Sequence, residues 1–338
     1  MASTTFMAAI RETLREELRR DPLFFIIGED VGAYGGEMGV TSGLWEEFGD
    51  WRIRDAPIAE TAIVGAGTGA SMTGCRACAE VPFGDFLGVC LDQIANQLAK
   101  IRYMSGGQLS VPMVVRTTMG GYLSAGAQHS QSLEAWVAHI PGLKVVMPST
   151  PANAAGLLRS SLRDGNPVIF FEHKAMYGLK GEVPDDPGFT VPLGVAEIVR
   201  PGGDVTVIAT GRQVQHALDA ARELEARGVQ CEVIDPRTLA PLDTRTVLDS
   251  VARTRHAVVV QEAWTFCGFA AEVAAVLADE GFGMLDGPVR RVGALHVPIP
   301  FSPPLESHVL PGTEDVVAAV EAALGLAEPA LPRRTAQP

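Results

Sequence analysis

From Phe6 onward, apolar residues return at helical spacing as Phe6, Ile10, Leu14 and Leu18, behind Thr4 and Thr5, which can cap a first turn. Pro22 stops that helix, and residues 23–27 form a strand-like apolar run. Five glycines follow (Gly28, Gly32, Gly35, Gly36 and Gly39), the composition of a turned loop at a strand end, where α/β proteins place ligands. The same signals recur downstream, with strands expected over 111–116, 143–147 and 167–172 and a helix over 151–162. Residues 181–194 hold Pro184, Asp185, Asp186, Pro187 and Pro192, show no apolar periodicity and read as a linker. Beyond them the pattern predicts strands over 204–210, 230–234 and 256–261, alternating with helices over 214–227, 244–251 and 268–278. Strands separated by helices of this length need right-handed crossovers and build mostly parallel sheets. The expected fold class is therefore α/β, with two domains that each carry a mostly parallel sheet flanked by helices. The expected division is 1–180, a linker over 181–195, a second domain over 196–326 and a tail over 327–338.

The length of 338 residues suits two domains, each able to bury its own core. Charge narrows the partners: 27 basic against 40 acidic residues give a net charge of -13, which repels phosphate backbones and anionic lipid. Neither nucleic acid nor a membrane is an expected partner. Five cysteines, an odd number in a long chain, give no disulfide framework and read as reduced thiols. The first 20 residues lack the apolar stretch of a signal peptide, and no run of about 18 apolar residues occurs. A cytoplasmic location is expected.

Three motifs carry possible chemistry. Gly65-Ala66-Gly67-Thr68-Gly69-Ala70, with Asp85 about 20 residues on, matches a dinucleotide fingerprint and would make the chain an oxidoreductase of the nicotinamide or flavin type. Only Ala62 to Val64 precede it as an apolar run, so a helix of small residues packed closely against a neighbour is the simpler reading. Cys75-Arg76-Ala77-Cys78 could be a redox pair or half a zinc site, but no second such pair exists, and two incidental thiols explain it. Glu60, beside Ile58, Ala62, Ile63 and Val64, is either a buried carboxyl with a raised pKa suited to proton transfer or a surface carboxylate at a helix start.

Longer blocks decide among these readings. Glu60 in DAPIAE, then EVPFGDF, DQIANQLAKIRYMSGG, AQHSQSLEAW, HIPGLKVVMPSTP, NPVIFFEHKAMYGLKGEVP and VIDPRTLAPLD run in order along the chain. Together they resemble the beta subunit of thiamine-diphosphate-dependent 2-oxo acid dehydrogenases of the pyruvate, acetoin and branched-chain type, from about Phe6 to Leu324. The resemblance implies a transketolase-like pyrimidine-binding domain followed by a transketolase C-terminal domain. It also implies oxidative decarboxylation of a 2-oxo acid, or cleavage of acetoin, with acyl transfer to lipoamide. A noncatalytic scaffold subunit is the remaining alternative.

Site residues follow from the same resemblance. Glu60 would hydrogen-bond a ring nitrogen of the cofactor aminopyrimidine and favour its imino tautomer, which removes the thiazolium proton. His129 would lie near the channel entered by the lipoyl group, as the second catalytic residue. Phe86 would pack on the aminopyrimidine face, with Glu29 and Ile58 completing the cofactor contacts. Met113, Ser161, Leu162, Asp164 and Asn166 match a monovalent-cation (K+) site, although Asp-Gly-Asn is also an ordinary turn. No Gly-Asp-Gly motif occurs, so Mg2+ and the diphosphate are expected on a separate alpha subunit in an α2β2 tetramer with a beta–beta contact, which can dock a lipoyl acyltransferase core. Two departures bear on pocket shape: Ala77 follows Arg76 where relatives usually have proline, and Gly84 stands where a larger residue is common.

Overall fold

A computed structural model describes residues 2–326; the expected tail over 327–338 lies outside the described residues. The chain forms two compact units. One comprises residues up to 119 together with 136–193, and the other 120–135 together with the chain from 194 onward.

The first unit runs β1 (Ala2–Thr5), α1 (Phe6–Arg20), β2 (Phe24–Gly28), α2 (Leu44–Phe48), β3 (Ile53–Asp55), α3 (Glu60–Met72) and β4 (Arg76–Phe83). A 3-10 turn (Gly84–Gly88) and a π-helical turn (Gln93–Leu98) lead to α4 (Ile101–Met104) and β5 (Met113–Met119). After α5 (Glu134–Ala138), whose first two residues belong to the other unit, come β6 (Lys144–Val146), α6 (Pro151–Arg163), β7 (Val168–His173) and β8 (Lys180–Val183). Thr5 caps α1 by accepting from the Ala8 amide at 3.1 Å, and Phe6, Ile10, Leu14 and Leu18 are buried along one face. Thr150 caps α6 in the same way through the Asn153 amide at 3.1 Å. Helices α1 and α6 are tied by Glu16–Arg159 and Glu17–Arg163 ion pairs, both at 2.6 Å. Strands β6, β7, β5, β4, β2 and β3 lie in that order, all parallel. Residues 181–183, inside the stretch read as a linker, instead extend β8, which pairs antiparallel with β1 from Ala2↔Val183 to Thr5↔Lys180. Backbone pairing across the chain supplies order that local composition does not show.

In the second unit the order is β9 (Glu197–Arg200), β10 (Val205–Ala209), α7 (Gln213–Glu225), β11 (Cys231–Asp235), β12 (Thr238–Ala240), α8 (Thr244–Thr254), β13 (Ala257–Trp264), α9 (Phe269–Asp279), β14 (Arg290–Ala294), α10 (Pro303–Val309) and α11 (Thr313–Ala323). Its five-stranded sheet has the order β14-β13-β10-β11-β9 and is parallel except for β9 against β11. Val205, Val207, Val233, Val258 and Val260 from the sheet pack with Ala217, Leu224, Val316 and Val320 from α7 and α11. Both units are thus α/β with mostly parallel sheets. No helix among the described residues is long and apolar enough to cross a membrane.

Candidate active site

In the first sheet the chain passes from β2 outward to β3, then crosses back over β2 to β4. Such a reversal opens a crevice at the carboxyl ends of the strands. Glu29 leaves the end of β2 there, Glu60 follows β3, and Phe83 closes β4 with Phe86 just beyond it. Glu60 is the first residue of α3, yet only 7% exposed. Glu60 thus stands at a helix start, as one reading had it, but it is buried and not on the surface. Among the described residues its carboxylate receives no hydrogen bond. Glu29 is half-buried, and among the described residues its buried Oε1 accepts no hydrogen bond. Burial first, and then the charges of Glu60, Asp30 and Glu37, push the Glu29 carboxyl above the usual carboxylate range. Cys90 is pushed up to about 12 by burial and by the charge of Glu60, an inert thiol on the same crevice.

Loop geometry brings these groups together. Asp55, at the end of β3, accepts from the Gly32 amide at 2.6 Å, and a Cβ at position 32 would lie 2.4 Å from that carboxylate. Only glycine permits the approach. Phe86 is half-buried, with its ring edge-on to Phe83 at 5.7 Å between centroids. Gly84 lets the turn between them run against β5, where a Cβ would stand 3.1 Å from the Thr118 carbonyl. Ile58, two residues before Glu60, is 83% exposed.

Beneath the crevice lies a buried network that the sequence reading missed. Arg116 on β5 donates from Nε and Nη2 to Glu172 on β7 at 2.6 and 2.9 Å, and from Nη1 to Glu80 on β4 at 2.7 Å. Tyr177 donates to the second Glu172 oxygen at 2.7 Å. Glu172 and Glu80 hold the Arg116 guanidinium charged despite its burial, whereas burial pushes Glu80 upward. A cavity with room for about one water adjoins the network, between Glu80, Arg116 and Glu172 and the loop residues Glu37 and Met38. Its only local signal was a charged residue closing each of three apolar runs.

His129 lies in the second unit, on the 120–135 segment; it is half-buried, and its amide donates to the Gly126 carbonyl at 3.3 Å. The oxygens matched to a monovalent cation are otherwise engaged. Arg76 donates to the Leu162 carbonyl and, at 3.3 Å, to the Asp164 carbonyl, while Lys144 pairs with the Asp164 carboxylate. Although burial opposes it, the Lys144 and Asn166 hydrogen bonds hold Asp164 below its ordinary range. Ser161 donates to Leu157, and Met113 is buried at the start of β5. With two protein cations already on these oxygens, the set as arranged does not fit a potassium ion.

The remaining motifs resolve simply. Residues 65–70 lie inside α3, not on a strand–turn–helix junction, so the dinucleotide fingerprint is coincidental. A Cβ at Gly67 would meet Met113 Cε at 2.7 Å, which is the close packing that small residues permit. Cys75 and Cys78 are both free thiols, the latter buried. Among the described residues, no group of three His, Cys, Asp or Glu side chains could hold a metal ion.

Comparison with known proteins agrees with this architecture. Residues 2–180 match the transketolase pyrimidine binding domain, and residues 194–316 match the transketolase C-terminal domain. The chain is 47% identical over 335 residues to the beta subunit of acetoin:2,6-dichlorophenolindophenol oxidoreductase of Bacillus subtilis, covering 96% of this chain and 97% of that one. It is 42% identical to the 2-oxoisovalerate dehydrogenase beta subunit of the same organism, covering 95% and 98%. It is also 43% identical to the pyruvate dehydrogenase E1 component beta subunit of Rhizobium meliloti, covering 95% and 70%. A split-gene transketolase, solved as an inactive beta4 tetramer, superposes with a TM-score of 0.79 at 25% identity, covering 96% and 99%. The chain therefore belongs to the transketolase-like family of beta subunits found in the acetoin, pyruvate and branched-chain 2-oxo acid dehydrogenases.

Proposed function

We propose that this chain is the beta subunit of a thiamine-diphosphate-dependent dehydrogenase acting on a 2-oxo acid or acetoin, and that Glu60 is its cofactor-activating residue. The observation that carries the reading is a buried, hydrogen-bond-free carboxylate at the first turn of α3, in the crevice where the strand order reverses. An aminopyrimidine fits such a place. A proton shared with one of its ring nitrogens would give Glu60 the missing partner, and the half-buried Phe86 offers an aromatic face.

Thiamine diphosphate, when bound, supplies the electron sink for cleavage of the bond beside the carbonyl. The chain's contribution is control of protons. Glu60 would share a proton with a ring nitrogen of that group and so favour its imino tautomer. Glu29, its carboxyl raised by burial and by the charge of Glu60, keeps a proton to higher pH than a free glutamate. The diphosphate and Mg2+ belong to a partner alpha subunit, since this sequence lacks the Gly-Asp-Gly motif that holds them. Exposed apolar side chains favour such a partner: Ile58 (83%), Tyr103 (87%) and Met104 (71%) in the first unit, and Phe282 (88%) and Phe301 (73%) in the second. We assign residues 1–180 and 196–326 to the pyrimidine-binding and C-terminal domains, His129 to the acyl-acceptor side, and the α2β2 complex to the cytoplasm. An acyltransferase core is its downstream acceptor.

The test is Glu60→Gln in the chain coproduced with its alpha partner. Turnover of pyruvate or 2-oxoisovalerate by decarboxylation, or of acetoin by cleavage, read with 2,6-dichlorophenolindophenol, is expected to fall ~100- to ~10,000-fold while the complex still assembles. Unchanged turnover would return the chain to a scaffold role.

A further inference from the structure

The 120–135 segment is not a free loop but is bolted to the second unit by two carboxylates. Glu262, 4% exposed at the end of β13, accepts from the Gly121 amide at 2.7 Å and from the Ser132 hydroxyl at 3.4 Å, so a single side chain holds both ends of the segment. Glu306, also 4% exposed, on α10, accepts from the Ser124 amide at 3.2 and 3.0 Å and from its hydroxyl at 3.2 Å. Between them Tyr122 donates to the Pro311 carbonyl at 2.7 Å and accepts from Gln213 at 2.8 Å, with the Arg212 guanidinium 4.5 Å above its ring. A Cβ at Gly121 would lie 2.5 Å from Leu310 and 3.1 Å from Glu306, so the backbone is seated directly on α10.

This seating holds a conformation that the chain would not choose alone. Tyr122 and Ser124 have φ of 67° and 53°, left-handed values that side-chain-bearing residues adopt only when their surroundings impose them. Charge-assisted hydrogen bonds from backbone amides to buried carboxylates are strong enough to impose them. His129 is five residues beyond Ser124 and three before Ser132, so it hangs between the two anchored stretches.

From this arrangement we infer that Glu262 and Glu306 are positioning residues, which fix the 120–135 segment so that His129 meets the acyl acceptor in one geometry. The inference rests on the placement of His129 on the acyl-acceptor side. It adds that the carboxylates control this step and not the decarboxylation that precedes it.

Glu306→Ala, Glu306→Gln, Ser124→Ala and His129→Ala, each in the complex with the alpha subunit, separate the possibilities. Two readouts are needed: amide hydrogen exchange over 120–135, and turnover with lipoamide against turnover with 2,6-dichlorophenolindophenol. Glu306→Ala is expected to speed exchange in the segment on the order of 10-fold or more. It should lower lipoamide-dependent kcat/KM roughly 10- to 100-fold while dye-linked turnover stays within about twofold. Glu306→Gln, which keeps an acceptor oxygen for the Ser124 amide, should restore part of both losses, and Ser124→Ala should give a smaller version of them. Unchanged exchange in Glu306→Ala overturns the inference. Faster exchange with undiminished lipoamide turnover also overturns it, provided His129→Ala lowers that turnover. If His129→Ala leaves lipoamide turnover intact, the placement of His129 itself is wrong and the inference falls with it, whatever the exchange shows.

Discussion

Glu60 and Arg116 show how differently two charged residues can be buried. Arg116 is surrounded by partners that neutralise it, whereas Glu60 is left without one. Burying a charge unpaired opposes stability, so the second arrangement persists only where something else selects it. The network makes the contrast measurable. Arg116→Leu leaves Glu80 and Glu172 buried with no cation, and is expected to cost about 3–5 kcal/mol in urea unfolding of the isolated chain. A loss below about 1 kcal/mol would mean that the carboxylates find other partners. Glu60→Gln, by the same logic, is expected to leave unfolding unchanged or slightly improved. In the sequence the apolar neighbours of Glu60 left a surface carboxylate equally open, and only the family resemblance singled it out. Arg116 and Glu172 are 56 positions apart and meet only through the parallel pairing of β5 with β7, which no local pattern encodes.

At the scale of elements, capping and periodicity were legible. Thr5 and the Phe6, Ile10, Leu14, Leu18 stripe define α1 as the spacing predicts, and the small residues of 65–70 proved to be helical packing, with no nucleotide loop. What stayed hidden depended on distant backbone. The proline-rich stretch after residue 180 opens with a strand because β1 pairs with it, and the 120–135 segment joins the second unit through carboxylates more than 120 residues away. That segment leads into α5, whose first residue, Glu134, is 1% exposed with an Oε2 that has no hydrogen-bond partner among the described residues. Burial, against the help of its own backbone amide and with the added charge of Glu262, raises its pKa to about 7. A carboxyl raised on folding stabilises the protein fully below its unfolded pKa and loses that contribution as pH rises through the folded value. Thermal unfolding is therefore expected to show Tm falling between about pH 5 and pH 8, with Glu134→Gln flattening the fall. An identical slope in both proteins would remove Glu134 as its source.

The whole molecule is a strongly acidic chain with large apolar side chains standing in solvent, a combination that points to a partner and not to self-sufficiency. Tyr103→Asp and Phe301→Asp are expected to shift unfolding of the isolated chain by no more than ~0.5 kcal/mol, because both side chains are exposed. At least one of them should weaken assembly with the alpha subunit, measured by sedimentation of the coproduced complex. Full assembly of both variants would place the interface elsewhere.

The central claim is that the carboxyl of Glu60 activates a cofactor anchored from the other side. Its most direct measurement is the exchange rate of the thiazolium C2 proton with deuterium in the assembled enzyme, before any substrate is added. With thiamine diphosphate bound equally well to both forms, Glu60→Gln is expected to slow that exchange ~100- to ~10,000-fold. Equal exchange rates in the two enzymes would contradict the account.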